Sequence, residues 1–196
     1  DQSRLEEVSK KIRDLGANVT IVEGDLMLRE TLDALEREAA KNGVGVLINN
    51  AAEILGAYGL PFEAIGDEII DRTFVTNLVS AVKLSRRIYK LLVAQGGGTI
   101  INMNSIVGLE TKATNILYGA SKWGLRGFTN TLALEGKKNN IRVIGVYLTK
   151  VQTRKEFTYG MDPSSVSEKI YDFYDQSDKF ELVLDERPEE FKPQKT

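Results

Sequence analysis

Leu5, Val8, Ile12 and Leu15 recur at helical spacing with charged residues between them, and Gly16 supplies the left-handed residue that ends such a helix. Residues 19–22 follow as a short predicted strand. Leu28, Leu32, Leu35 and Ala39 repeat the helical stripe as far as Asn42-Gly43. Residues 44–48, apolar except for Gly45, have the makeup of a strand buried on both faces. Residues 67–94 carry Ile70, Phe74, Leu78, Val82, Ile88 and Leu92 on one broad stripe, which predicts a long helix. Gly96-Gly97-Gly98 closes it and leads into a strand at 99–103. A second long helix is predicted at 118–138, a strand at 141–147, a helix at 164–175 and a last strand at 180–184. Alternation of helix and strand implies an α/β fold, a parallel sheet with helices on both faces.

A chain of 196 residues is large enough for one globular core, and no repeat, low-complexity block or linker divides it, so residues 1–196 read as a single domain. The tail beyond Asp185, with Pro188 and Pro193, reads as a surface extension. Residues 55–65 and 150–163 form the two long loops. Both leave strand ends, where ligands bind in open α/β sheets.

Charge and composition narrow the chemistry. Lys and Arg number 26 against 28 Asp and Glu, a formal charge of −2, and no basic stretch offers a footprint for nucleic acid. There is no Cys and no His, which removes disulfides, thiolate nucleophiles, Ser-His-Asp triads and zinc sites built on sulfur or imidazole. Proton transfer must then fall to Tyr, Lys, Asp or Glu, and no metal site is expected. The apolar runs are far too short to span a membrane and the first residues do not form a signal peptide, so a cytoplasmic protein without membrane attachment is expected.

Tyr118 and Lys122 stand four apart in Tyr118-Gly119-Ala120-Ser121-Lys122, so on a helix they share a face. An ammonium close to a phenol favours the phenolate, and is expected to lower an ordinary tyrosine value of about 10 by about 1 to 3 units. Ser105 follows the strand at 99–103, where its hydroxyl projects at the carboxyl end. Asn77 interrupts the apolar stripe of the long helix. Asn49-Asn50-Ala51-Ala52 follows the strand ending at Ile48 and offers amides and small side chains to a flat ligand. Each feature alone has a plainer reading: a solvated Tyr-Lys pair, a turn serine, a helix-surface amide, a strand-ending turn.

Taken together, in this order and at these separations, they resemble the short-chain dehydrogenase/reductase family over residues 4–184. The resemblance implies a Rossmann-like doubly wound parallel sheet and an NAD(P)-dependent oxidoreductase that interconverts a carbonyl and a secondary alcohol. Tyr118 would be the general acid/base, and Ser105 would hydrogen-bond the substrate oxygen. Lys122 would tune Tyr118 and hold the nicotinamide ribose, and Asn77 would position a relay water. Gly24-Asp25-Leu26 resembles the family's adenine-contacting turn, so Asp25 and Leu26 are expected cofactor contacts. Asn50, Ala51 and Ala52 would approach the adjacent ribose, Val151 and Thr153 the nicotinamide, and Ser105, Ile106 and Tyr118 the substrate. NAD or NADP is the implied cofactor, and a small carbonyl or alcohol the substrate. The two long helices correspond to the family's subunit interface, so a homodimer or homotetramer is expected.

The chain also departs from the family. No Gly-x-x-x-Gly-x-Gly turn is found, and the first two strands of the family's 3-2-1-4-5-6-7 order have no counterpart. The strand at 19–22 would be the third and would lack its neighbour, so a fragment or partly ordered chain is expected. Ala52 stands where the family has glycine, and Leu148-Thr149 where it has Pro-Gly. A binding or regulatory protein that keeps the fold without turnover is the alternative reading. Ile106, Glu110, Ile116, Leu117 and residues 150–163 are expected to line the substrate pocket, with Phe157, Tyr159 and Met161 as lid candidates.

Overall fold

The computed structural model describes residues 2–54, 56–111, 116–153 and 158–192. The chain divides into two compact units, Asp1–Gly43 and Val44–Thr196. The first consists of helices α1 (Gln2–Asp14) and α2 (Arg29–Asn42). Helix α2 stops at Gly43, whose φ of 78° suits a residue without a Cβ. Residues 19–22, expected as a strand, form none. A strand exists only through a partner's backbone, and this unit supplies two helices and nothing to pair with.

The second unit runs β1 (Val46–Asn49), α3 (Asp67–Phe74), a π-helical turn (Val75–Val79), α4 (Ser80–Ala94), β2 (Gly98–Ser105), α5 (Ile116–Gly136), β3 (Ile141–Leu148), α6 (Pro163–Gln176) and β4 (Glu181–Leu184). The strands pair in parallel in the order β1-β2-β3-β4. The expected helix over 67–94 is therefore one rod with a widened turn in its middle. There Ser80 donates both its N–H and its hydroxyl to the Val75 carbonyl, five residues back. Such widened turns recur at functional sites because they swing one side chain off the regular helical face.

Strand alternation sends the two faces of the sheet to different helices. On one face Asn102 donates to Thr129 of α5, and Asn104 donates to the Lys122 carbonyl. On the other, Ile101, Ile144 and Val146 form a core against Ile170 and Phe173 of α6. Gly98, at φ 155°, begins β2 where a Cβ would lie 2.5 Å from Leu92 and 2.8 Å from the Gly45 carbonyl. The expectation that residues 44–48 are buried on both faces fails. Val46 and Ile48 are 37% and 55% exposed, because β1 is the sheet's edge and α6 packs over its other strands.

The parallel register aligns Ser105 of β2 with Leu148 of β3, and Asn49 of β1 with Asn102 of β2. The carboxyl ends of β1, β2 and β3 thus open on the same edge. Leu92 is fully buried at the start of this layer. Leu92→Ala should lower the free energy of unfolding by about 2–5 kcal/mol in urea titration, the range for a leucine truncated in a close-packed core.

Candidate functional site

At the carboxyl edge of β1–β3 lies a cavity of about 990 Å³ whose walls include Asn50, Ala52, Ser105, Ile106, Tyr118, Lys122, Val151 and Thr153. Eight expected site residues therefore meet in one place. Ser105 is the last residue of β2, one turn of 3₁₀ helix (Ile106–Gly108) follows it, and its Oγ accepts from the Val107 N–H at 3.4 Å. Ser105 approaches the Tyr118 hydroxyl closely enough to act on it as a hydrogen-bonding partner. Tyr118 and Lys122 lie one turn apart on α5, with the Lys122 ammonium 5.6 Å from the centre of the Tyr118 ring.

Lys122 is 2% exposed, and its Nζ donates to the Met103 carbonyl at 2.9 Å, which uses one of its three donors. Burial lowers it from an ordinary 10.5 to about 8. Burial also raises Tyr118 above its ordinary 10.0, and the Ser105 hydrogen bond opposes that rise. The expectation that Lys122 pulls Tyr118 down is therefore corrected for this state of the protein. The removal of the phenol from water outweighs the other influences on it, and the ammonium is engaged by a backbone carbonyl.

Asn77 sits in the widened turn and is 1% exposed rather than on the helix surface. Its Oδ1 accepts from the Glu53 N–H at 2.6 Å, while Nδ2 donates to the Glu53 carbonyl at 2.9 Å and to Ser121 Oγ at 3.1 Å. The amide clamps the loop after β1 to α5. Ala51 is not among the cavity's lining residues. Asp25 and Leu26 belong to the first unit, where Asp25 Oδ1 accepts from the Met27 N–H at 2.9 Å and Leu26 borders a cleft with Val8, Val22 and Leu35.

Among the expected pocket residues, Ile106, Lys150, Tyr159 and Met161 line the cavity, whereas Glu110, Ile116 and Leu117 do not. Leu117 faces the core and Ile116 is half exposed at the start of α5. Met161 is 2% exposed and bridges in parallel to Val151, so it is a wall rather than a free lid. Phe157 lies outside the described residues. Sequence reasoning missed Tyr58, Met103 and Asn104, and also Glu186, Arg187 and Pro188 of the tail read as a surface extension. Arg187 is tied down instead, by Asp185 and Glu110, each with a side chain no more than 16% exposed.

Among the described residues no cluster of three or more acidic side chains is placed to hold a metal, and no helix is long and apolar enough to cross a membrane. The cavity's donors suit a nicotinamide and its ribose: an ammonium, a phenol, an asparagine, and small or β-branched side chains at close approach.

The chain belongs to the short chain dehydrogenase family, whose profile matches residues 1–159. It is 32% identical over 143 residues to nodulation protein G from a Rhizobium species, covering 72% of this chain and 57% of that protein. It is 33% identical over 143 residues to a tropinone reductase homologue of Arabidopsis thaliana, covering 70% and 53%. The chain thus spans about half the length of these relatives. Among solved structures, it is similar to a metagenomic short-chain oxidoreductase in complex with NADP, at 26% identity and TM-score 0.81 over 94% of this chain and 81% of that one. A short-chain dehydrogenase from Sphingobium yanoikuyae in complex with NADPH matches at 25% identity and TM-score 0.80, over 93% and 74%.

Between about 8 and 10.5 the unfolded chain keeps a proton on Lys122 that the folded chain has released, so stability rises with pH across that window. Tyr118 acts in the opposite sense, and only above its ordinary 10.0, where the unfolded chain loses its phenolic proton first. The free energy of unfolding should therefore rise by on the order of 2 kcal/mol between about pH 8 and about pH 10, relative to Lys122→Met. Parallel pH profiles for the two proteins would show that Lys122 is not buried as described.

Proposed function

We propose that the protein is an NAD(P)-dependent oxidoreductase that interconverts a carbonyl and a secondary alcohol, with Tyr118 as general acid/base. The observation that carries this reading is the meeting of Ser105, Tyr118 and Lys122 at the wall of one cavity, with the Lys122 ammonium 5.6 Å from the centre of the Tyr118 ring. The NADP and NADPH held by two similar structures support the cofactor class.

The bound dinucleotide supplies or accepts the hydride. Ser105 donates to the substrate oxygen and stabilises the charge that builds there. Tyr118 delivers a proton to that oxygen in reduction and removes it in oxidation, a contribution of roughly 10² to 10⁴ in rate. Lys122 uses its donors beyond the Met103 bond to hold the nicotinamide ribose, and its positive charge then opposes the burial that raises Tyr118. Asn50 and Ala52, which line the cavity, would flank the ribose, and Val151 and Thr153 would approach the nicotinamide. Asn77 contributes by holding the Glu53 peptide against α5. The side chains of Ile54, Met103, Ile106, Leu148 and Met161 give the cavity a largely apolar wall, which favours an apolar ketone or alcohol.

Homodimer or homotetramer formation through the α3–α4 rod and α5 is part of the same proposal. Trp123 and Leu134 of α5 are 44% and 66% exposed while Leu125 and Ala133 are buried against the sheet layer, so α5 keeps an outward apolar surface. A binding protein without turnover is the second reading, favoured by the raised Tyr118.

The two readings separate on nicotinamide fluorescence and ketone-dependent oxidation of NADH or NADPH, with the protein expressed from its complete reading frame. Tyr118→Phe should reduce turnover by about 10² or more while cofactor affinity changes by no more than about threefold. Lys122→Ala should weaken both. Cofactor binding with no turnover across a ketone panel would establish the second reading, and unchanged turnover in Tyr118→Phe would remove Tyr118 from the chemistry.

A further inference from the structure

Arg187 lies just past β4 and joins two carboxylates from distant parts of the chain. Its Nη1 and Nη2 donate to Glu110 Oε1 and Oε2 at 2.6 and 3.1 Å. Its Nε and Nη2 donate to Asp185 Oδ1 and Oδ2 at 2.8 and 2.7 Å. The Arg187 N–H also donates to Asp185 Oδ1, at 3.1 Å, so Asp185 fixes both the backbone and the planar head of the arginine. All three side chains are 16% exposed or less. Paired, fork-to-fork bonds of this kind are directional as well as strong, and removing the guanidinium would leave two carboxylates close together in a poorly solvated place.

The far end of this clasp is mechanically close to Ser105. Glu110 and Leu109 both donate their N–H groups to the Ile106 carbonyl, at 3.0 and 2.8 Å, and Ser105 Oγ accepts from Val107. Residues 105–110 are therefore one hydrogen-bonded turn that starts at Ser105 and ends at the carboxylate gripping Arg187. The near end is anchored by the sheet, since the Thr149 N–H donates to the Leu184 carbonyl immediately before Asp185. Glu186, Arg187 and Pro188 line the same cavity as Ser105 and Tyr118.

We propose that Arg187 is a positioning residue: through Glu110 it fastens residues 185–188 across the cavity and holds the Ser105 turn in register with Tyr118. The effect on catalysis rests on the carbonyl-reductase reading, in which Ser105 meets the substrate oxygen, whereas the coupling of the two segments does not. Both carboxylates are engaged by Arg187, so the clasp serves the shape of the wall and is not a free cation awaiting an acidic substrate.

The test is hydrogen–deuterium exchange of peptides covering 104–111 and 185–190, together with steady-state kinetics, on the protein expressed from its complete reading frame. In Arg187→Met, exchange in both segments should rise at least tenfold together. The ketone KM should rise at least tenfold against a fall in kcat of less than fivefold, with NADPH affinity within twofold of the parent. Arg187→Lys keeps the positive charge between the carboxylates but loses the fork. It should keep the melting temperature near the parent's, give intermediate exchange and recover part of the KM, which separates the clasp from general unfolding of Arg187→Met. Raised exchange confined to 185–190, in either variant, overturns the proposal. Coupled exchange in a protein that turns over no ketone supports the clasp and defeats the carbonyl reading alone.

Discussion

The placement of one lysine in the α5–β2 seam fixes most of what surrounds the cavity. Lys122 sends its ammonium to the carbonyl of Met103 on β2, while its own carbonyl receives the Asn104 amide from the next position on the same strand. These bonds run in opposite directions across one interface, so α5 cannot slide or rotate on β2 without breaking both. Tyr118 is one turn away on that helix and Ser105 one residue beyond Asn104 on that strand. Their hydrogen bond is thus a consequence of how helix and strand are locked, and burial of the lysine charge is tolerated because a carbonyl accepts it.

The same seam continues in both directions as polar contacts inside the fold. Asn102 donates to Thr129, and accepts from Asn49 on β1, whose amide also reaches Ser85 of α4. Farther along α5, Arg126 and Asn130 both contact Glu181 of β4, which also accepts from the Tyr147 hydroxyl. Asn77 adds the loop after β1 by gripping the Glu53 peptide and Ser121. A largely buried polar chain of this kind favours one arrangement over the alternatives, so it contributes register and rigidity more than net stability. Rigidity is what the proposed proton donor and oxygen-binding serine would require, since misplacement by about 1 Å can cost about 10² in rate.

The sequence showed those parts that are set by local pattern. Helix α2 ends where Asn42-Gly43 says it should, and α3–α4 follows its apolar stripe, because stripe and terminator act within a few residues. The meeting of Ser105, Tyr118 and Lys122 was legible from motif order, since parallel alternation sends all strand ends to one edge. Residues 19–22 have the composition of a strand, but pairing is non-local and no partner stands beside them in their unit. The widened turn at Val75–Val79 was invisible because its apolar spacing differs little from that of a regular helix. Burial of Asn77 depends on the Glu53 peptide, twenty-four positions away, and the engagement of the 185–188 tail depends on an ion pair spanning seventy-seven.

Tyr118 exposes a tension between burial and proton transfer. A phenol withdrawn from water resists ionisation, and the Ser105 hydrogen bond opposes that effect. Ser105 is thus asked to stabilise charge on Tyr118 and, in the proposed reaction, on the substrate oxygen as well. A hydroxyl can donate only one hydrogen at a time. As the proton passes from Tyr118 to the substrate oxygen, negative charge grows on the phenol and fades on the substrate, so Ser105 is most useful if it serves the substrate oxygen first. In that reaction the charge left on Tyr118 would be met by Lys122, which at neutral pH is mostly protonated with a value of about 8 and whose ammonium lies 5.6 Å from the centre of the ring. In the proposed reaction the work would divide in time, with Ser105 acting on the substrate before proton transfer and Lys122 on the tyrosine after it.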